Sequence, residues 1–487
     1  MFQEEKLIFE KSVKGRKGVH LSFNENKLNT VKPSIPDAFL RNNAAELPEV
    51  SETDVVRHFH RLSHWNYSID EGFYPLGSCT MKYNPRINEI LSGLSGFGNS
   101  HPSFPEEISQ GSLEVFYNLS EALKQITGFP ACSLQPAAGA HGEFTGLLLI
   151  KKYHEIKGNT KKNKIIIPDS AHGTNPSSCT IAGFETVPLA SGEDGRVHIE
   201  DLRKTINEET AGIMLTNPNT VGLFEKDIKV IADLIHQYDG LVYCDGANFN
   251  AIIGQYSPAK MGIDVMHLNL HKTFSTPHGG GGPGAGPILV SDKLSPYLPV
   301  PEICFNNGIY SLDYSNEQSI GKIKHYFGNF GVLLRAYAYI LSLGDKYIAS
   351  ISKLSVLNAN YCQARLKEHF DIPFVSTFCM HETILSDSRQ NEQGSTTLNM
   401  AKALIDKGYH PPTIYFPLIV KGAMMIEPTE TESKETLDEF IDALIAIAEE
   451  IKQGESFASA PQKVKVTRLD EATAARKPIL KFEEENE

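Results

Sequence analysis

Residues 271–282 read HKTFSTPHGGGG and directly follow an apolar run, VMHLNL at 265–270, that is typical of a buried strand. Lys272 therefore stands at the end of a strand, where leaving its ammonium unpaired in apolar surroundings is costly. Burial disfavours the ammonium form and so supplies the neutral amine that attacks an aldehyde and forms a Schiff base. The glycines Gly279–Gly282 remove side chains where a ligand or another backbone comes close. The alternative interpretation is a surface lysine beside a flexible loop.

Length and composition are those of an ordinary globular protein. A chain of 487 residues exceeds what one compact core serves, which predicts two or three domains. The formal net charge of −13 argues against nucleic acid or an anionic membrane as the main partner. No apolar run approaches the roughly 18 residues of a membrane span. The first residues lack the features of a secretory signal or a transit peptide, so we expect a cytoplasmic protein.

The seven cysteines are scattered along the chain, and none forms a CxxC pair. That usage fits a reducing compartment, in which cysteine is mostly a small buried hydrophobe. No spacing of cysteine and histidine resembles a structural zinc site. We therefore expect no metal in the functional site.

Short apolar runs alternate with amphipathic segments between about residues 130 and 300. The candidate strands are residues 165–167, 185–189, 212–215, 241–244, 265–270 and 287–290. A helix is predicted over Asp227–Tyr238, with Ile228, Ile231 and Ile235 on one face and Gly240 ending it. The strand candidates are nearly continuous in apolar residues, as strands covered on both faces should be. The pattern predicts an α/β fold with a mostly parallel sheet.

Changes in composition predict the domain boundaries. Residues 1–100, rich in Pro, Asn and short polar segments, are interpreted as an arm or irregular layer. Residues 101–330 form the large α/β domain. Residues 331–460 form a smaller C-terminal α/β domain, near a helical pattern over Phe330–Leu343. Residues 461–487 are a polar tail that ends on an acidic run at 483–487.

Polar residues follow two of the candidate strands, and open α/β sheets bind ligands at the carboxyl ends of their strands. Asp245 follows the strand at 241–244, where its carboxylate could pair with the protonated pyridine nitrogen of pyridoxal phosphate. Asp245 could equally cap a turn. His172 follows the strand at 165–167 and could lie flat against the cofactor ring, although a histidine there could also be an ordinary core or turn residue.

Small residues precede a long helical run at Phe144–Tyr153. Ala138, Gly139 and Ala140 would leave backbone N–H groups free to hold a phosphate, aided by the helix dipole. The segment lacks the nucleotide P-loop motif, and tight packing would give the same composition. Residues Thr216–Thr220 end another strand and could supply a side chain to the ring hydroxyl.

In chain order, these groups would bind the phosphate, stack on the ring, pair with the ring nitrogen and form the Schiff base. The residues are Ala138–Ala140, His172, Asp245 and Lys272. The order resembles the aspartate-aminotransferase-like fold (fold type I) of pyridoxal-phosphate enzymes. We therefore expect that fold, with pyridoxal 5'-phosphate as the cofactor.

Longer motifs resemble glycine dehydrogenase (decarboxylating), the P-protein of the glycine cleavage system. They lie at residues 74–85 (YPLGSCTMKYNP), 135–143, 169–176, 271–284, 319–331, 408–413 and 425–430. The resemblance covers most of residues 1–450. It extends only to the carboxyl-terminal, cofactor-carrying half of the single-chain form, which corresponds to subunit 2 of the split bacterial form. It therefore implies a separate subunit 1, with two copies of each subunit.

The resemblance implies that glycine is the substrate and that the enzyme is an aminomethyl-transferring glycine dehydrogenase. The amine of glycine would displace Lys272, the carboxylate would leave as carbon dioxide, and Asp245 would keep the cofactor ring protonated. The remaining aminomethyl group would pass to the oxidised lipoyl arm of the H-protein.

Further site residues are implied by the same resemblance. Ala247 would cover the ring face opposite His172, and His271 and Thr273 would help to bind the phosphate. The stretch Ser78–Asn84 would line the channel for the substrate or the lipoyl arm.

Two other functions remain open at this point. Another fold-type-I reaction, such as cysteine desulfuration or decarboxylation without a lipoyl acceptor, is disfavoured by the motif at 74–85 and by the glycine run. A structural or regulatory subunit is disfavoured by the presence of both Lys272 and Asp245, which a chain without chemistry has no physical need to keep.

Overall fold

The computed structural model describes residues 5–19, 36–39, 41, 43, 45–278, 284–374 and 378–482. The glycines Gly279–Gly282 and the acidic run at 483–487 lie outside the described residues, so the predictions made for them stay predictions. Residues 72–458 form one compact unit, and the described parts of 1–71 and 459–487 form another.

A mixed sheet of seven strands organises the larger unit among the described residues. Its spatial order is β1-β7-β6-β5-β4-β2-β3. The strands β2 to β6 run parallel, whereas β7 is antiparallel to both of its neighbours, β6 and β1. The strands are β1 Ala131–Ser133, β2 Lys164–Pro168, β3 Glu185–Leu189, β4 Thr210–Thr216, β5 Leu241–Gly246, β6 Val265–Leu268 and β7 Ile288–Val290. The prediction of a mostly parallel sheet is confirmed.

The described helices, in chain order, are α1 Glu52–Ser63, α2 Arg86–Ser92, α3 Ser95–Gly98, α4 Gln110–Thr127, α5 Gly139–Ile156, α6 Thr174–Ala182, α7 Ile199–Thr205, α8 Ile228–Gln237, α9 Phe330–Leu366, α10 Ser388–Glu392, α11 Thr397–Asp406, α12 Lys434–Lys452 and α13 Glu471–Arg476. Short 3-10 turns occur at Phe9–Lys11, Asp37–Phe39, Glu106–Ile108, Phe249–Ala251, Pro258–Met261 and Ser295–Tyr297. Among the described helices, none combines the length and apolarity that a membrane crossing requires.

Both faces of the large sheet are covered, which explains why the strands are nearly continuous in apolar residues. Successive side chains point to opposite faces of a strand. Ile165 belongs to the core that contains Leu147 and Leu149 of α5, whereas its neighbour Ile166 belongs to the core that contains Ile231 of α8. Every residue of β4, β5, β6 and β7 is buried. The two cores hold the carboxyl ends of the parallel strands in place.

The helix predicted over 227–238 is α8, but its end differs from the prediction. The left-handed residue after the helix is Asp239 (φ 55°), and Gly240 is the next residue, whose N–H donates to the carbonyl of Ile235. Aspartate is one of the few residues besides glycine that adopt this conformation. The carboxylate of Asp239 accepts hydrogen bonds from Tyr153 and Asn159.

The remaining strands form smaller sheets. The strands β8 Glu302–Asn306 and β9 Ile309–Asp313 make a hairpin, and β10 Thr383–Ser386, β12 Ala423–Ile426 and β11 Thr413–Ile414 form an antiparallel sheet in that spatial order. The long helix α9 is interrupted at Gly344, which has φ 57° and ψ −175°. The helix predicted to end at Leu343 therefore stops at the residue before this break.

The smaller unit contains α1 and α13. Ser51 accepts a hydrogen bond from the N–H of Asp54, and the Asp54 carboxylate accepts one from the N–H of Ser51, so a capping box begins α1. The buried carboxylate of Glu5 pairs with Lys11, His58 and Arg61, whose hydrogen bonds lower its pKa to about 2 although burial raises it. The domain boundaries at 100, 330 and 460 stay predictions.

Candidate active site

A cavity of about 370 Å³ lies at the carboxyl ends of β4, β5 and β6. Of the residues singled out in the sequence, it is lined by Ala138, Gly139, Ala140, His172, Thr216, Thr220, Asp245, Ala247, His271 and Lys272. Chain segments that are far apart in the sequence thus meet where an open α/β sheet binds its ligands.

Lys272 lies in the turn that follows β6, and its side chain is partly buried. Its Nζ donates a hydrogen bond to the carbonyl oxygen of Ser78, at 2.7 Å. Ser78 belongs to the 74–85 motif, so this contact places the motif beside the amine. Because Lys272 lines the cavity, its amine is within reach of a carbonyl group bound there.

Asp245 is the penultimate residue of β5, and only 2% of it is exposed. Its Oδ1 accepts from the N–H of Ala247 at 2.8 Å, and its Oδ2 accepts from Asn175 at 3.0 Å. Burial by itself would raise the pKa of Asp245, but the facing imidazole of His267 and these hydrogen bonds hold that pKa below its ordinary value. The cavity therefore contains a carboxylate that stays ionised.

His267 connects Asp245 to the interior of the sheet. Burial raises the pKa of Tyr243 well above its ordinary value, and its hydroxyl lies 2.8 Å from His267 Nδ1. His267 Nε2 lies 3.3 Å from Asp245 Oδ1, and because an ionised carboxylate only accepts, this nitrogen carries a proton. Sequence reasoning missed this role. The available signal was a histidine that interrupts an otherwise apolar strand.

The helix α5 begins at Gly139 and points its N-terminus into the cavity. A Cβ on Gly139 would come within 2.5 Å of Asn269 Oδ1, and a Cβ on Gly286 would collide with the carbonyl of Ala138. Only glycine lets these backbones approach so closely. The free N–H groups of the first turn can then bind an anion, as the small residues predicted.

His172 is exposed at the edge of the cavity, where its ring makes an edge contact with Phe416. Its Nδ1 lies 2.9 Å from Thr174 Oγ1, which donates to the buried carboxylate of Glu143 at 2.9 Å. Ser178 also donates to Glu143. Thr174, in the first turn of α6, thus orients the imidazole, and Glu143 fixes the Thr174 hydroxyl.

Several buried polar atoms around the cavity have no hydrogen-bond partner among the described residues: Thr216 Oγ1, Asn269 Oδ1, His271 Nδ1 and His278 Nε2. Burial lowers the pKa of His271 to about 3 and that of His278 to about 4, and nearby positive groups add to both effects. Both rings are therefore neutral. Unpartnered polar atoms, a carboxylate, an amine and a helix N-terminus match the ring, aldehyde and phosphate of pyridoxal phosphate.

The prediction that Thr273 helps to bind the phosphate stays a prediction. Thr273 is 1% exposed and is not among the residues that line the cavity, and its Oγ1 has no hydrogen-bond partner among the described residues. Its carbonyl accepts from Lys82 at 2.7 Å.

Glu382 and Glu427, which sequence reasoning missed, lie under the loop at residues 78–80. The N–H of Ser78 donates to Glu382, and the N–H and hydroxyl of Thr80 donate to Glu427. Both glutamates are fully buried. The motif at 425–430 contained Glu427, but nothing in the sequence linked it to residue 80.

Two clusters have donor atoms close enough to hold a metal ion: Glu143, Asp245 and His267, and His381, Glu382 and Glu427. The carboxylates of the first cluster already accept hydrogen bonds. Asp245 accepts from Asn175 and Ala247, and Glu143 accepts from Thr174 and Ser178.

The family of the glycine cleavage system P-protein matches residues 22–303, and the glycine dehydrogenase C-terminal domain matches residues 351–469. Two curated relatives from Staphylococcus aureus, strains bovine RF122 / ET3-1 and MRSA252, are each 55% identical over 478 residues. These matches cover 98% of this chain and 97% of each relative. Both relatives are named probable glycine dehydrogenase (decarboxylating) subunit 2.

Solved structures share the fold. A glycine decarboxylase (P-protein) of the glycine cleavage system, in inhibitor-bound form, superposes with a TM-score of 0.72 at 18% identity, covering 88% of this chain and 95% of that chain. Glutamate decarboxylase from Lactobacillus brevis CGMCC 1306 gives 0.61 at 14% identity, covering 87% and 97%. These likenesses confirm the predicted pyridoxal-phosphate fold type I. The family match and the identity along nearly the whole chain show that this protein belongs to the glycine cleavage system P-protein family.

Proposed function

We propose that this chain is the cofactor-carrying subunit of a glycine dehydrogenase (decarboxylating), which releases carbon dioxide from glycine with the help of pyridoxal 5'-phosphate. The observation that carries the proposal is the convergence of Lys272, Asp245 and the N-terminus of α5 on one cavity. The names of the relatives, which match this chain from end to end, support glycine as the substrate.

The bound cofactor supplies an electron-accepting ring for the electrons that decarboxylation leaves behind. Lys272 would hold the cofactor through its amine, which lies 2.7 Å from the carbonyl of Ser78, and this amine would be placed to move protons there. Asp245 keeps a proton on the ring nitrogen, and such a charge-assisted hydrogen bond is worth roughly 1.5–3 kcal/mol.

Other residues orient the cofactor and exclude water. His172 and Ala247, which both line the cavity, would cover the two faces of the ring. The first turn of α5, with Ala138, Gly139 and Ala140, binds the phosphate, and His271 offers a neutral imidazole beside it. The unpartnered hydroxyl of Thr216 supports a contact with the ring hydroxyl.

The partners of the enzyme are part of the same proposal. A separate subunit 1 completes the enzyme, as the subunit 2 names of the relatives suggest. We further propose a heterotetramer with two copies of each subunit. The aminomethyl group passes to the lipoyl arm of the H-protein. We propose a cytoplasmic location because the scattered cysteines suit a reducing compartment.

Glycine–bicarbonate carbon exchange in the presence of lipoylated H-protein tests the proposal. The exchange is measured with this chain alone and with subunit 1 added. Exchange only with both chains is the expected result, whereas exchange by this chain alone would remove the obligatory partner. A protein that binds the cofactor but gives no exchange in either case would contradict glycine as the substrate.

A further inference from the structure

Two buried carboxyl groups near Lys272 have no part in the chemistry described so far. Glu382 directly precedes β10 and Glu427 directly follows β12, and these strands pair so that Thr383 lies opposite Ile426. The two glutamates are therefore neighbours at one end of this sheet. Both are 0% exposed, and their carboxylate oxygens lie within 4.8 Å of each other.

The hydrogen bonds treat the two carboxyl groups differently. Both oxygens of Glu427 accept, Oε2 from the N–H of Thr80 at 3.0 Å and Oε1 from its hydroxyl at 2.5 Å. Glu382 accepts one bond, from the N–H of Ser78 to Oε2 at 3.0 Å, and its Oε1 has no hydrogen-bond partner among the described residues, with His381 Nε2 3.9 Å away. An ionised carboxylate only accepts, whereas a protonated one also has a hydroxyl. The pattern fits an ionised Glu427 and a protonated Glu382.

The charged and titratable groups around Glu382 and Glu427 are consistent with one proton shared by the two carboxyl groups. The basic side chain that faces both glutamates is Lys272, and Lys82 also faces Glu427. Burial lowers the pKa of His381 to about 3, so this ring is neutral. Burial raises the pKa of the Cys79 thiol, which stays protonated. The nearby carboxylate of Glu430 is already paired with Lys82 at 2.6 Å.

The ionisation of the pair follows from its surroundings. Burial and the neighbouring Glu427 raise the pKa of Glu382 well above its ordinary value. Burial also raises the pKa of Glu427 to about 7, although the hydrogen bonds from Thr80 oppose that effect. Two like charges this close at fully buried positions cannot both be kept, as in other carboxyl pairs.

The loop above the pair needs to be held in place. Ser78 and Thr80 both have left-handed backbone conformations, with φ of 65° and 45°, which non-glycine residues adopt at a cost. The two glutamates bind the N–H groups of these same residues. The carbonyl of Ser78 is thereby directed at the amine of Lys272.

We propose that Glu382 and Glu427 form a carboxyl pair that holds one proton, on Glu382, and that the pair positions the loop at 78–80 and thereby the amine of Lys272. They are positioning residues, since neither reaches the reacting atoms directly. With one negative charge rather than two beside Lys272, the pair also leaves the cavity able to accept an anionic substrate. The inference rests on the proposed function, because that function gives Lys272 its role.

Infrared spectra of the cofactor-free chain at about pH 8.5 test the proton directly, because carboxyl groups with a pKa near 7 are then ionised. The wild type should show the carbonyl band of a protonated carboxylic acid, shifted in heavy water. Glu382→Gln should lose this band. Glu432→Gln is the matched control, since burial raises the pKa of Glu432 to about 7 without contact to the loop, and it should keep the band. A wild type without the band, or a Glu382→Gln variant that keeps it, overturns the proposal.

The pH titration of the visible absorbance of the Lys272-bound cofactor tests the positioning. Glu382→Gln imitates the neutral acid and should leave the midpoint unchanged. Glu427→Gln removes the negative charge and should lower the midpoint by about half a pH unit or more. Thr80→Val keeps the carboxylate but loses one hydrogen bond, so it should lower the midpoint by less, which gives a result even if Glu427→Gln does not fold.

Equal shifts in Glu382→Gln and Glu427→Gln would mean that both groups are ionised, and no shift in any variant would mean that the pair does not act on Lys272. Either result overturns the proposal. A wild type that never binds the cofactor covalently would contradict the proposed function instead, while the infrared band would still decide the state of the pair.

Discussion

The turn after β6 brings the amine of Lys272 to 2.7 Å from the carbonyl of Ser78, in a cavity that also contains Asp245. These residues have different tasks. Lys272 must exchange between the cofactor and the protein, whereas Asp245 must keep its charge throughout. The structure gives Asp245 fixed hydrogen-bond partners and leaves Lys272 only one carbonyl, which suits a group that has to move.

Lys272→Ala should abolish covalent attachment of the cofactor, because no other amine lines the cavity among the described residues. The measurement is the absorbance of the protein-bound cofactor, followed by borohydride trapping. Lys260→Ala, which removes an exposed lysine from a 3-10 turn, serves as the control and should be trapped like the wild type. A trapped adduct in Lys272→Ala would show that another residue holds the cofactor.

Asp245→Asn should lower the rate of glycine decarboxylation by roughly tenfold to a hundredfold, because it removes a charged hydrogen bond worth about 1.5–3 kcal/mol. The amide keeps the shape of the side chain and can still accept from Ala247. Exchange of labelled bicarbonate into glycine measures the loss, with cofactor binding checked separately. Unimpaired exchange would mean that Asp245 does not support the ring nitrogen.

Residues at strand ends could be predicted from the sequence, whereas residues that act across the chain could not. Lys272, Asp245 and His172 each follow an apolar run, and that position alone indicates the ligand side of a sheet. The bond from Ser78 to Glu382 joins positions 304 residues apart. No local pattern reports such a contact, because it depends on how separate sheets and loops come together.

At the scale of single elements, the start of α5 depends on close backbone contacts. Gly286, from the loop before β7, lies against the carbonyl of Ala138 and the N–H of Gly139. This contact fixes the first turn of α5 at the edge of the cavity.

Gly286→Ala should weaken cofactor binding by about tenfold or more, because the new Cβ would displace this backbone by an amount that costs roughly 1–3 kcal/mol. Equilibrium dialysis with pyridoxal phosphate measures the affinity. Gly111→Ala is the control, since a Cβ at this exposed position in α4 meets nothing within 4 Å. Wild-type affinity in Gly286→Ala would mean that the phosphate does not rely on this turn.

Most elements of the large sheet could be read from hydrophobic runs, since burial on both faces leaves few polar residues in the strands. The ends of the elements were harder to predict. Asp239 rather than Gly240 adopts the left-handed conformation after α8, and its carboxylate accepts from Tyr153 and Asn159, which are 86 and 80 residues away in the sequence. The role of His267 depends on its contacts with Tyr243 and Asp245, which no local pattern reports.

At the scale of the whole molecule, buried acids make stability depend on pH. Burial raises the pKa of Glu225 to about 7 from an ordinary value of 4.5. Between these values the folded protein binds the proton more tightly than the unfolded chain, so the free energy of unfolding falls as the pH rises through this window. Glu427 and Glu432 act in the same direction.

As the pH rises from about 4.5 to about 8, the free energy of unfolding should therefore fall less in Glu225→Gln than in the wild type. Each pH unit of pKa difference is worth about 1.4 kcal/mol, so the contribution of Glu225 is on the order of 3 kcal/mol. Thermal unfolding at several pH values measures the effect. Glu155→Gln, at an exposed position of α5, is the control and should follow the wild type. Parallel pH profiles for Glu225→Gln and the wild type would contradict this account.

The strand order has a consequence for synthesis on the ribosome. The strand β1 pairs only with β7 in the sheet, and β7 is made 155 positions after β1 ends, which at translation rates of about 5–20 residues per second is a delay of about ten to thirty seconds. Throughout this interval β1 has no neighbour, and the edge of β6 is free from residue 268 until β7 is made, a state that invites aggregation. A nascent chain released between residues 268 and 288 would expose both edges, so an interruption of translation in this window favours aggregation.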